Sequence, residues 1–561
     1  NCYMNTLQLS DYIVFFIYFI VVASYGYYIY KKKQRKEASS ADYFLAEGSL
    51  TWWAIGASLI ASNISAEHFV GMSGSGFKMG LAIATYEWLA AATLIVVAVF
   101  FLPVYLKNKI YTMPQFLKTR YNGTVAMIMA IFWLLLYVLV NLTSILYLGA
   151  LAINSISGIS ITTCMYFLAV FAIFITLGGM KVIGYTDVIQ VAVLIIGGLV
   201  TTYLALSLVA DHFQQPGVLN GFALIKAKAD DHFHMIFQQG NTNYNDLPGL
   251  TVVLGGMWIV HMNYWGCNQY IIQRALGADL KTAREGILFA AFLKILMPLI
   301  VVIPGIAAFV LYQEGYSNFT TDMLQDGTTN PDKAYPVLLN LLPVGLKGLS
   351  FAALTAAIVA SLAGKANSIS TIFTLDIFKN HINKQASEKS LVFIGRATVV
   401  VAMILAVIIA PFLGIDKKGG FAYIQEYTGF VSPGIFAMFI LGFFWKKATS
   451  NAALFATIGG FTLSVVLKFL PAWLDLSALQ HSGWYHMNGE GVYEIPFLDR
   501  MGIVFVCCVL GMYVISQIEH KKRSNEHALE VDTSMFKPNK GFVVGAMLVL
   551  GILVALYTLF W

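Results

Sequence analysis

Apolar residues run along this chain in long blocks rather than in alternation. The blocks fall near 12–30, 50–72, 80–105, 125–152, 160–178, 184–209, 249–273, 285–312, 345–376, 391–413, 421–445, 448–470, 500–518 and 541–560. Each is close to or beyond the roughly 20 residues a helix needs to cross about 30 Å of hydrocarbon, and the period-two pattern of a membrane barrel is absent. The pattern therefore predicts an all-α polytopic membrane protein with about 14 transmembrane helices.

Two blocks carry polar interruptions at mid-span. The second contains "SLIASNISAEHF", residues 58–69, and the seventh contains "GGMWIVHMNYWGCNQY", residues 255–270. Backbone unwound at membrane depth loses its helical partners at several kcal/mol per group, and persists only where protein or a wet cavity receives it. The first interruption thus reads as the lining of a cavity or as a polar seam between helices. The seventh block lies five after the second, an odd offset that inverts one repeat relative to the other, as in secondary transporters. The expected organisation is an extra N-terminal helix and basic loop in 1–49, a first five-helix repeat in 50–209, an outer loop in 210–248, a second inverted repeat in 249–445, and further helices in 446–561.

Composition narrows the class. The 561 residues are 58% hydrophobic and 11% charged, with a mean hydropathy of +0.72, which excludes a water-soluble domain of this length. The net charge of +6 sorts by loop: "KKKQRK", "LKTR", "QRALGADLKTAR", "KNHINK" and "HKKR" fall in the odd-numbered loops. That asymmetry marks those loops as cytoplasmic and calls for no nucleic-acid partner. The first block has no basic n-region or cleavage site, so it reads as a retained span; an even span count then puts both ends of the sequence outside. Five scattered cysteines show neither a disulfide framework nor zinc spacing.

Ionisable and amide side chains inside apolar blocks are the candidate chemistry. Glu87, Lys294, Asp187, Lys365 and Gln425 lie in or at the edge of spans, where charges are costly unless they face one another or water. For Asp187 and Lys365, snorkelling to the cytoplasmic interface is an equal alternative. Glu87, Gln425, His68 and Lys294 mix donors and acceptors with neither sign dominant, which suits a neutral polyol. Tyr264 or Trp265 can cover a sugar's ring face, or simply pack together. Ser361, Ser368 and Ser370 on 348–378 either line an ion path or let helices approach. An intramembrane enzyme using Glu67, His68 and His261 is disfavoured because no HExxH or triad spacing is present, and no repeated filter motif suggests a channel.

The segments "WWAIGASLIASNISAEHFVGMSGSG", "YTDVIQ", "YWGCNQYIIQR", "FAALTAAIVASL" and "YIQEYTGFVSPGI" resemble the solute:sodium symporter family, in particular its bacterial sodium/galactose-glucose cotransporters, over nearly the whole chain. The resemblance implies a LeuT-like core of two inverted five-helix repeats with broken helices and alternating access around a central sugar. It implies sugar contacts at Asn63, His68, Glu87, Lys294 and Gln425, an inner gate at Tyr264, and an outer gate at Met72, Tyr86 and Phe421. It further implies a sodium site from the carbonyls of Ala61, Ile64 and Ala357 with the Ser361 hydroxyl, and an ion-exit acid at Asp187.

Departures accompany the resemblance. His68 stands where the bacterial galactose member has glutamine, and Ala90 and His261 replace a serine and an asparagine. Ala360 stands where the family places a second sodium-binding hydroxyl. Lys365, where the bacterial member has methionine, lies one turn beyond Ser361, about 6 Å along the helix, and is a candidate substitute for the cation. The expected protein is a secondary transporter and not an enzyme: a sodium-coupled hexose symporter, for glucose or galactose, in a bacterial inner membrane, with sodium as co-transported ion and no organic cofactor. The alternatives are another solute (myo-inositol, sialic acid or proline), or sodium-independent coupling because of Ala360 and Lys365.

Overall fold

Hydrocarbon supplies no hydrogen-bond partners, so the apolar runs close their backbone bonds within helices. The computed structural model describes residues 7–33, 50–325, 327–413, 420–482, 485–487, 491–520 and 527–561. Cys2, the expected basic loop from 34 to 49 and most of the "HKKR" cluster lie outside the described residues. The first described helix is α1 (Leu9–Lys33), and the polar break follows α2 (Trp52–Asn63). Next come α3 (Thr85–Val96), α4 (Met180–His212), α5 (Met257–Gly266), α6 (Gln269–Ala275), α7 (Leu280–Gln313) and α8 (Leu346–Thr371). Near the C-terminal side lie α9 (Gly420–Thr428), α10 (Ser432–Phe444) and α11 (Phe497–His520).

Fourteen uniform spans are not what the described residues form. Ten helices are long and apolar enough to cross a membrane, or eleven if the pair α9 and α10, bent by 47°, counts as one. The difference has a physical cause. With 12 residues, α2 rises only about 18 Å before it breaks, and the segment 249–273 is divided into a π-turn at Val252–Gly256, α5 and α6. The apolar helix Ile161–Thr176 has 16 residues. Between the second and third expected spans, the chain stays helical from Glu67 to Lys107 but changes type, turning at Gly80 with φ +83°. A Cβ at Gly80 would lie 2.2 Å from the His232 carbonyl oxygen, so only glycine lets the segment Asp230–Phe233 lie across this turn.

The interior is built on close helix crossings. α4 packs against α8 and α2, and α2 packs along α7. Glycines set the α2–α7 distance: a Cβ on Gly56 would sit 2.8 Å from the Gly286 carbonyl oxygen, the small-residue contact that brings membrane helices together. α7 contains Pro298 and Pro304, which leave the carbonyls four residues earlier without amide donors. Side chains from neighbouring helices bond other carbonyls along this stretch: Thr202 Oγ1 donates to Leu299 at 2.8 Å, Trp88 Nε1 to Ile295 at 3.3 Å, and Ser73 Oγ to Val301. α11 braces α9, since Arg500 Nη2 donates to Glu426 Oε1 at 3.0 Å and Lys468 bonds the same oxygen. Among the described residues, strands occur only as two two-residue hairpins in the expected loop regions, Leu324–Gln325 with Thr328–Thr329 and His486–Met487 with Tyr493–Glu494.

Candidate functional site

The site begins where α2 stops. Ile64 is extended, with φ −76° and ψ 115°, so the next amides cannot continue the ladder. The Ser65 N–H, which in an unbroken helix would bond the Ala61 carbonyl, donates to His68 Nδ1 at 3.4 Å, and the Glu67 N–H donates to Ser65 Oγ at 3.3 Å. The chain resumes as a π-helix over Glu67–Met72, a wide turn that often marks functional positions. Side chains at 65 and 68 thus do the work of missing backbone partners.

That local break aims His68 at a buried ionic cluster. Its Nδ1 accepts from Ser65, so its Nε2 carries the proton and donates to Glu87 Oε1 at 3.1 Å. Glu87 Oε2 takes the Lys294 ammonium at 2.6 Å, with each side chain only 1% exposed. Lys294 also bonds Asn63 Oδ1, and Asn63 Nδ2 donates to the Tyr264 hydroxyl at 2.9 Å. The ammonium lies 5.3 Å from the Trp265 ring centre, and Trp265 meets Tyr264 edge to face at 5.0 Å. Five elements converge here: the end of α2, the π-helix after its break, α3, α5 and α7. The sequence expectation that these charges face one another holds for Glu87 and Lys294.

A second layer covers the cluster. Phe421 of α9 packs on Tyr86 at 4.9 Å and on His68 at 6.2 Å between ring centres. A Cβ on Gly71 would meet the Phe421 backbone N at 2.9 Å, so the π-helix and α9 touch closely, and Met72 is fully buried beside them. His261 donates through Nε2 to the Thr85 carbonyl at 3.4 Å and faces Tyr86 rather than the ionic pair. Gln425 lies half-buried on α9, and no hydrogen bond joins its side chain to the cluster among the described residues. α9 and α10 meet at a bend where Ser432 Oγ donates to the Thr428 carbonyl at 2.9 Å and accepts from Asn263 Nδ2 at 3.1 Å. The bend is thereby tied to α5.

On the other side of the break stands α8. Ala357, Ala360 and Ser361 are fully buried. Lys365 is not at an interface: it is 0% exposed, and its ammonium lies 3.2 Å from Glu67 Oε1 and 3.4 Å from Ser361 Oγ. Asp187 is equally buried and accepts from Ser58 Oγ at 2.7 Å, while that oxygen accepts from Arg274 Nε at 3.2 Å. Snorkelling, left open for both residues, is therefore excluded. Sequence reasoning did not assign Glu67 and Arg274 these partners, which lie 298 and 216 positions away in the chain. The available signal was arithmetic, since one more buried cation on α8 demanded one more buried anion. It likewise missed that Tyr137 bonds Asn268 at the second break.

A closed polar cluster between interrupted helices, inside a many-helix membrane bundle, defines a membrane carrier. The model of the "Sodium:solute symporter family" matches residues 43–460. A "Sodium/glucose cotransporter" of Vibrio parahaemolyticus is 43% identical, over 99% of this chain and 99% of its own. A "Sodium/myo-inositol cotransporter 2" of Bos taurus is 34% identical over 90% of this chain and 77% of its own. Among solved structures, a substrate-bound outward-open Na+-coupled sialic acid symporter, a LeuT-like neighbour, matches with a TM-score of 0.72 at 22% identity, covering 91% of this chain and 98% of that one. The chain belongs to the sodium:solute symporter family; it is a multi-pass membrane transporter and not an enzyme.

Proposed function

We propose that this transporter carries a hexose, glucose or galactose, into the cell by alternating access, within the family's sodium-driven scheme. The observation that carries the reading is the cluster of Asn63, His68, Glu87, Lys294 and Tyr264, whose mutual hydrogen bonds are each of a kind that a sugar hydroxyl can take over. Its formal charges cancel, as a neutral ligand requires. Full-length identity of 43% to a sodium/glucose cotransporter supports the same solute. Trp265 and Tyr264 offer a ring face, Gln425 and His261 flank the ligand, and Met72, Tyr86 and Phe421 form the outer gate with Tyr264 as the inner one. The family's sodium site corresponds to Ala61, Ile64, Ala357 and Ser361, with Asp187 on the exit path.

The proposed frame is fourteen spans in the bacterial inner membrane, with two inverted five-helix repeats at 50–209 and 249–445, an outer loop at 210–248, flanking helices in 1–49 and 446–561, and both ends of the sequence outside. The breaks after Asn63 and after Gly266 support paired discontinuous helices. Flux into proteoliposomes of glucose, galactose and myo-inositol, each with and without sodium, tests the reading. Uptake of inositol in preference to both hexoses would overturn it, as would unchanged sugar affinity in both Gln425→Ala and Lys294→Ala. A second reading, sodium-independent coupling, is favoured by the placement of Lys365 against Ser361.

A further inference from the structure

We infer that Lys365 is a tethered cation standing at the helix break where a mobile sodium ion would bind, so that sugar binding in this transporter needs no sodium. The inference rests on the alternating-access reading above and takes its second, sodium-independent form of coupling in place of the sodium-driven one. The broken end of α2 turns its last carbonyls away from helical donors, and a cation is the natural partner for such oxygens. α8 faces this break with Ser361, while its neighbour Ala360 contributes no oxygen.

The ammonium of Lys365 is already there. It is fully buried, 3.4 Å from Ser361 Oγ and 3.2 Å from Glu67 Oε1, and Glu67 is itself part of the restarted segment, accepting from Ser65 Oγ at 3.1 Å. One ion pair thus stitches α8 to the break, the connection that a bound ion would otherwise make. A second fixed cation stands close by, since a Cβ on Gly364 would lie 2.4 Å from Arg274 Nη2. Lys365 and Arg274 are balanced by Glu67 and Asp187, so a sodium ion would leave the site with an excess positive charge. Two unit positive charges about 4 Å apart at an effective dielectric of about 20 repel enough to weaken binding of the second by up to about a thousandfold before the offset from Glu67 is counted.

The test uses the purified full-length protein in sodium buffer and in sodium-free choline buffer, with binding of D-glucose and D-galactose and the melting temperature as separate readouts. For the wild type, sugar affinity is expected to change less than about twofold between buffers, with no saturable rise in melting temperature on adding sodium. Lys365→Met combined with Ala360→Ser leaves a two-hydroxyl site with one uncompensated negative charge for sodium to neutralise, and is expected to gain at least about tenfold sodium dependence in sugar affinity and a sodium-induced rise in melting temperature. A wild type that sodium stabilises saturably, or whose sugar binding requires sodium, overturns the inference whether or not the variant folds. If neither hexose binds in either buffer, the hexose reading falls, while the melting response still decides the ion question.

Discussion

Lys294 and Glu87 form an ion pair of 2.6 Å with both side chains 1% exposed, and the two residues lie 207 positions apart on α7 and α3, which pack directly against each other. Neither charge has water as an alternative partner. The pair therefore clamps the helix packing, and under the proposed function its two groups exchange one another for ligand hydroxyls.

Removing one member strands the other. Glu87→Gln or Lys294→Met alone is expected to cost about 3–5 kcal/mol of stability and to abolish sugar binding. The double variant is expected to regain much of the stability and none of the binding. Thermal denaturation in detergent alongside sugar binding checks both halves, and a double variant as unstable as the sum of the singles would refute the pairing.

His68 works as a donor through Nε2. His68→Gln keeps an N–H that can reach Glu87, so sugar affinity is expected to fall less than about tenfold. His68→Leu leaves both the Ser65 amide and Glu87 short of a partner at about 1–3 kcal/mol each, and is expected to lower sugar affinity much further. Equilibrium binding of the two variants side by side distinguishes the cases.

At the α2–α7 crossing, a side chain at Gly56 would start 2.4 Å from Phe289 Cδ1 and 2.8 Å from the Gly286 carbonyl oxygen. Gly56→Leu is expected to destabilise the protein by at least about 1–3 kcal/mol, lowering the melting temperature and the yield of monodisperse protein. Gly123→Leu, where a Cβ meets nothing within 4 Å, is the matched control and is expected to change neither appreciably.

Outside the membrane-spanning helices, Asp332 is buried in the loop before α8 and accepts the Gly420 amide at 2.8 Å, at the start of α9. Burial pushes its carboxyl up to about 6 from an ordinary 3.8, opposed by the Gly420 hydrogen bond and by Lys78. The folded protein thus holds this proton more tightly than the unfolded chain. The contribution is present in full below the unfolded value and is lost as pH rises through about 6. Amide-exchange protection around 331–334 and 420–424 is expected to increase as pH falls from about 7 to about 5, and Asp332→Asn is expected to remove the dependence.

The membrane class, the positions of both helix breaks and most of the central cluster were legible in the chain because hydrocarbon makes strict demands. A charge such as Glu87 in an apolar block must have a partner, and polar stretches such as "SNIS" in mid-span must give up their helix. Sequence periodicity does not separate broken spans from complete ones, since a broken helix and a whole one present the same run of apolar residues until the backbone is seen.

What the chain determined by itself was thus which groups had to be satisfied. Only the tertiary structure decided by whom: Lys365 took Glu67 rather than water, Asp187 took Ser58, His261 turned to the Thr85 carbonyl away from the ionic pair, and Gln425 stayed outside the bonded cluster. Partner choice depends on distances of a few ångströms between helices far apart in sequence, and those follow from how glycines, prolines and breaks let the helices cross. Hydrophobic pattern encodes burial, whereas pairing is set by packing.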